Sequence, residues 1–240
     1  MRICPLCTKT KPLCDSHIIP EFLYTSAYNE KNQIAKVERG LRRSRLLQKG
    51  IWEPLLCADC EHFLNHAYEQ PMSKAWPTLF PDEISGTAYL LENVDYRIFK
   101  LFHLSILWRA SMARRPEWAD VSLGAHHEEV LRQAILASSA PHQTNYPLLG
   151  TIFVGPDTRR PASGWVGPHV IARLGQARVY SALYGGAMWH TVVASHQEID
   201  PSNPFVLTER GQLGMPVYDI MQLPKVDLHP HLRFRWPTSQ

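Results

Sequence analysis

Four cysteines in two CxxC pairs, Cys4-Pro-Leu-Cys7 and Cys57-Ala-Asp-Cys60, are the residues most plainly spaced for chemistry in this chain. Each pair can set two thiolates on one side of a tight turn. Together they supply the four sulfurs of a closed tetrahedral zinc site. A redox disulfide would need only one pair, in a thioredoxin-like strand-helix-strand context that the flanking sequence lacks. The expectation is structural Zn²⁺ on Cys4, Cys7, Cys57 and Cys60, contributing on the order of 10 kcal/mol to the folding of a short segment with a thin core of its own. The fifth cysteine, Cys14, reads as a small buried apolar residue.

Between the pairs stands Asp15-Ser16-His17-Ile18-Ile19-Pro20, and the second pair runs straight into Glu61, with Asn65 and His66 one helical turn on. The order of these motifs, with Leu55-Leu56-Cys57-Ala58-Asp59-Cys60-Glu61 as a helix entrance, resembles the HNH endonucleases of the ββα-metal class. The resemblance covers roughly residues 1 to 70, and the combination is far more specific than either motif alone. It implies hydrolysis of DNA phosphodiesters, with RNA left open, in settings such as restriction, mobile elements or phage defence. The chemistry fits the residue types: a neutral imidazole can activate water, and hard carboxylate oxygens suit Mg²⁺ or another divalent cation. His17 is then the candidate base, with Asp15, Glu61 and Asn65 as the other candidate catalytic or cation-holding residues.

This chain departs from the family pattern at two positions. Ser16 stands where an acidic ligand usually precedes the histidine, and Glu61 stands where His or Asn is usual; Glu53 occupies roughly the place of the family's middle Asn. Strand alternation would put Asp15 on the face of His17 and turn Ser16 away, unless a bulge intervenes. Glu61 also suits a helix's first turn for purely electrostatic reasons, and His17 could simply pack between strand and helix. A zinc-finger-like nucleic-acid binding module without catalysis is the alternative, and an interaction adaptor working through the later part of the chain is a third.

The charge distribution is uneven. Residues 31 to 50 hold Lys31, Lys36, Arg39, Arg42, Arg43, Arg45 and Lys49 against one acid, Glu38, although the whole chain has a net charge of only +3. A basic run of this kind is commonly a solvated surface. Here it hangs between the two cysteine pairs, so Lys36, Arg39, Arg42, Arg43, Arg45 and Lys49 are candidates for contact with a phosphate backbone.

The elements that must position these residues follow from periodicity. With 45% hydrophobic and 20% charged residues over 240 positions, the chain is globular, which excludes collagen-like, coiled-coil and largely disordered classes. No apolar run approaches the roughly 18–20 residues of a membrane span, and the N-terminus lacks a signal's apolar core, so a cytoplasmic protein is expected. The first 75 residues read as the zinc and nuclease module. Prolines and a glycine mark 76 to 94 as a linker, and 95 to 240 read as an α+β domain for target recognition, partner binding or dimerisation. Within it, helices are expected over 95 to 114, capped by Asp95, and over 126 to 138. Strands are expected over 148 to 154, 177 to 183 and 187 to 194, the last two joined through Gly185-Gly186, with shorter strands near 205 to 208 and 217 to 221. His126 and His127 read as an exposed helix start. His229 and His231 could share a strand face, without a third ligand. The expected fold class is α+β: a small zinc-stapled ββα-metal module followed by helices and then antiparallel strands.

Overall fold

The computed structural model describes residues 1–31, 33–36, 45–48, 50–194 and 203–222. The fold is α+β. Its N-terminal part opens with a small ribbon, β1 (Arg2–Ile3) against β2 (Thr10–Lys11), whose turn carries the first cysteine pair. Next comes β3 (Leu13–His17), which pairs antiparallel with β6 (Trp52–Cys57). Between them lies a separate hairpin, β4 (Gln33–Lys36) with β5 (Arg45–Gln48). Helix α1 (Ala58–Leu64) leaves directly from the end of β6, giving a β-β-α arrangement.

The β3–β6 ladder slips by one residue between Cys14 and Asp15, so Asp15 pairs with Pro54 and Leu55 is the extra residue of a bulge. Proline cannot donate to a ladder and is accommodated at such sites. Past α1 the helical path does not stop. A π turn (Asn65–Glu69), closed by the Gln70 N–H on the Asn65 oxygen, leads into α2 (Gln70–Ala75). Pro71 has no N–H to give to Ala67 and crowds that carbonyl, which favours a wider turn just ahead of it. The inward stripe Cys60, Leu64, Tyr68 and Met72 recurs every fourth residue, and each is at most 5% exposed.

Helix α3 (Tyr96–Met112) is capped by the Asp95 carboxylate, which accepts from the Ile98 N–H at 2.9 Å. Every residue from Phe99 to Ala110 is buried. A helix buried on all sides has to be surrounded: α4 (Ala125–Leu136) and the π turn flank it, while Phe99 and His103 meet Trp189 of the large sheet at ring separations of 5.4 and 4.4 Å. Burying side chains of this size stabilises by roughly 1.5–3 kcal/mol each.

The large sheet has six strands in the order β7-β12-β8-β11-β10-β9: β7 (Ala88–Leu91), β8 (Leu148–Val154), β9 (Gly167–Leu174), β10 (Ala177–Tyr184), β11 (Ala187–Val193) and β12 (Leu213–Asp219). All neighbours are antiparallel except β12 with β8. Gly185 and Gly186, both at positive φ (61° and 88°), form the two-residue turn of the β10–β11 hairpin. The stretch 205 to 208, expected as a strand, forms none; its amides bond to oxygens of Asn203, Leu148 and Gln212 without making a ladder. The segment read as a linker carries β7 at the sheet's edge, and one buried cluster runs continuously from Cys4 to Val217. The module and the sheet therefore share a core through α3. No helix among the described residues is long and apolar enough to cross a membrane.

Candidate metal cluster and cleft

Tertiary folding joins the two cysteine pairs. The sulfurs of Cys4, Cys7, Cys57 and Cys60 all lie within 4.8 Å of one another, Cys7 and Cys57 at 3.7 Å. Four sulfurs at about 2.3 Å from a tetrahedral zinc would be about 3.8 Å apart, so the cluster can hold a metal such as zinc. The Cys57 N–H donates to the Cys4 sulfur at 3.4 Å. Burial pushes the Cys57 and Cys60 thiols up. Against burial, the Lys9 backbone and the neighbouring sulfurs bring Cys7 down to about 7. A bound cation would favour the deprotonated state in all four. Asp59, exposed between the second pair, forms an ion pair with Lys11, and Arg132 of α4 donates to the Leu6 carbonyl at 2.8 Å. Cys14 is half-buried and outside the cluster.

Beside the cluster lies a cleft of about 360 Å³ lined by His17, Glu21, Glu61, His62, Asn65, Glu69 and Arg109, among others. The β3–β6 ladder brings His17 to it at the strand's end. Glu61, Asn65 and Glu69 reach it because residues four apart along the helical path share a side. His17, Glu61 and Asn65, expected together from sequence, do meet here. Asp15 does not: it is exposed and absent from the cleft wall. Ser16 is the inward residue, fully buried, with its hydroxyl accepting from the Leu56 N–H at 3.0 Å.

The electrostatics are mixed. One Glu61 carboxylate oxygen is buried without a hydrogen-bond partner. Burial holds that carboxyl above its usual range, countered in part by the Arg109 charge and the Ser16 hydroxyl. Arg109 is 1% exposed; its Nη1 donates to the His17 carbonyl and to Glu69 Oε1, both at 2.8 Å, while its Nη2 is a second buried group without a partner. His62 and His66 are exposed and stack at 6.2 Å, and only His62 reaches the cleft.

Glu69 and Arg109 went unforeseen in the sequence reading. The signal for Glu69 was the four-residue spacing from Glu61 to Asn65 carried one turn further; for Arg109 it was, as for Lys100, a cation inside the fully buried span of α3. Of the basic run, Lys36 and Arg45 are register partners at the loop end of the β4–β5 hairpin. Arg39, Arg42, Arg43 and Lys49 lie outside the described residues, as do His229 and His231. His126 is exposed at the start of α4, while His127 bonds the Tyr146 hydroxyl at 2.8 Å. Comparison with protein-family models, curated proteins and solved structures finds no match for the chain.

Proposed function

We propose that this protein is an HNH-like endonuclease: a divalent-cation-dependent hydrolase of phosphodiesters in DNA, with the four-cysteine cluster holding structural zinc. The reading rests on one observation: His17 at the end of β3 and Glu61 and Asn65 on the helix leaving β6 line a single cleft next to that cluster. A neutral imidazole there can take a proton from an attacking water. Glu61, with an oxygen lacking any protein partner, offers a hard ligand, and Asn65 and Glu69 stand beside it. A divalent cation bound among them would offset charge developing on the phosphate and the leaving oxygen. Arg109 fixes the His17 backbone and the Glu69 carboxylate relative to one another, so proton acceptor and ligand are held in one frame. The basic hairpin loop would track the phosphate backbone.

The test is nicking of supercoiled plasmid with Mg²⁺ by wild type and His17→Ala. A loss of roughly 10²–10⁴-fold is expected on removing a general base. Equal cleavage by both proteins defeats the assignment of His17. Binding of DNA without cleavage by wild type under any divalent cation would return the chain to a zinc-dependent binding module.

A further inference from the structure

A second cleft, of about 490 Å³, opens beside the first and shares Phe22 and Ser73 with it as a common wall. We propose that this second cleft is a nucleoside subsite: it takes the base and sugar of a nucleotide adjoining the phosphate at His17, swung out of its stack. The inference deepens the nuclease reading and rests on it for the placement of that phosphate.

Three features define the occupant. The volume falls in the roughly 300–1,000 Å³ range of small-molecule sites, too small for stacked duplex but ample for one nucleoside. One wall is aromatic: the Trp76 indole, half-buried, meets Phe22 edge-on at 6.0 Å and donates to the Gly185 carbonyl at 3.4 Å. The hairpin turn makes that seat, since Gly185 sits at φ +61° and a Cβ there would come within 2.4 Å of the indole. The polar groups are of both kinds, with Asp82 and Arg160 in the lining alongside Ser73 and Ser163. A carboxylate would repel a second phosphate, and a lipid chain would leave both charges unmatched. The edge of a base and a sugar hydroxyl offer donors and acceptors together. Any strand laid through the first cleft must put its next nucleoside somewhere, and the shared wall makes the second cleft the adjoining place. A base inside a duplex can reach it only by extrusion, so single-stranded or bulged substrates have the advantage.

The experiment is calorimetric titration of the full-length, zinc-loaded protein with Mg²⁺ present, using dAMP and, separately, inorganic phosphate. It is run on wild type, Ser163→Trp, which fills the cleft, and Arg160→Ala, an exposed position; unchanged zinc content and melting temperature qualify each variant. The expected result is that dAMP binds wild type more tightly than phosphate does, that each variant weakens dAMP about tenfold, and that phosphate is unaffected. Equal dAMP affinity in wild type and both variants overturns the subsite, as does wild type that binds dAMP no better than phosphate. The two readings fail separately. Wild type that binds dAMP in a Ser163→Trp-sensitive way and cuts no nucleic acid defeats the nuclease and keeps the nucleoside pocket; cleavage by a protein whose dAMP affinity ignores both variants defeats the pocket alone.

Discussion

The Arg109 guanidinium, carried on α3, donates to the main-chain oxygen of His17 at 2.8 Å across 92 residues of sequence. The same Nη1 holds Glu69 at 2.8 Å, and Nε reaches the Ser105 carbonyl at 3.4 Å. A charge 1% exposed needs such partners, because an unpaired buried cation would cost several kcal/mol. The ties run both ways: α3 is anchored to the N-terminal module, and the geometry of the cleft depends on a residue from beyond that module.

Removing that tie should misplace the site before it changes substrate contact. Arg109→Gln is expected to lower kcat about 100-fold with KM for DNA little altered, since displacements near 1 Å cost that much; Arg109→Lys, which can still donate to both oxygens, should recover part of it. Breaking a buried pair also costs about 3–5 kcal/mol, so denaturant unfolding accompanies the kinetics. A Lys variant as inactive as Gln, at equal stability, would detach Arg109 from the site.

Freshly purified protein is expected to carry about one equivalent of zinc. Cys57→Ala should lose it and unfold the N-terminal module, whereas Cys14→Ser should keep both metal and fold. Metal analysis with circular dichroism checks this, and folded, zinc-free wild type contradicts it.

Neutralising Arg42, Arg43 and Arg45 together should weaken DNA binding at every sequence and flatten the dependence of log K on log salt by about 2–3 units, near 0.9 per phosphate contact. An unchanged slope in salt titrations returns the run to a solvated surface.

His190 sets an acid limit on stability. Its Nδ1 lies 2.8 Å from the Ser181 hydroxyl and its Nε2 3.2 Å from that of Thr151, and burial pulls the imidazole down to about 4. The unfolded imidazole titrates near 6.5, so between about 6.5 and 4 the unfolded chain binds the proton that the folded chain refuses. Stability is full above that window and falls as pH drops through it, by about 2 kcal/mol from this group at pH 5. His103, pulled down by complete burial and bonded through Nδ1 to the Tyr184 hydroxyl, acts in the same direction. Urea unfolding at pH 7 and 5 should show the loss, and His190→Asn should remove its share of the pH dependence.

Much of this arrangement is legible in local pattern. The start of α3 is written in Asp95, and the β10–β11 turn in Gly185-Gly186, because caps and positive-φ glycines act over a few residues. Alternation along β3 does hold, with Asp15 exposed and Ser16 buried; what local pattern could not give is which face packs inward and whether Asp15 reaches the cleft. Similarly, 205 to 208 has the composition of a strand, but it makes only a single amide bond to β8, from Leu207 to Leu148, and no ladder forms.

Sequence by itself determined which atoms could do chemistry: four thiols in two pairs, an imidazole, and a carboxylate and an amide on one helix. Those follow from residue type and from spacings of three and four. Only tertiary structure decided that the pairs converge within 4.8 Å, that Ser16 rather than Asp15 turns inward, and that Arg109 and Glu69 complete the cleft. The physical reason is range. Turns and helix faces are set by neighbours in the chain, whereas the burial of a guanidinium against a carbonyl 92 residues away is settled only when the N-terminal module and α3 pack into one core.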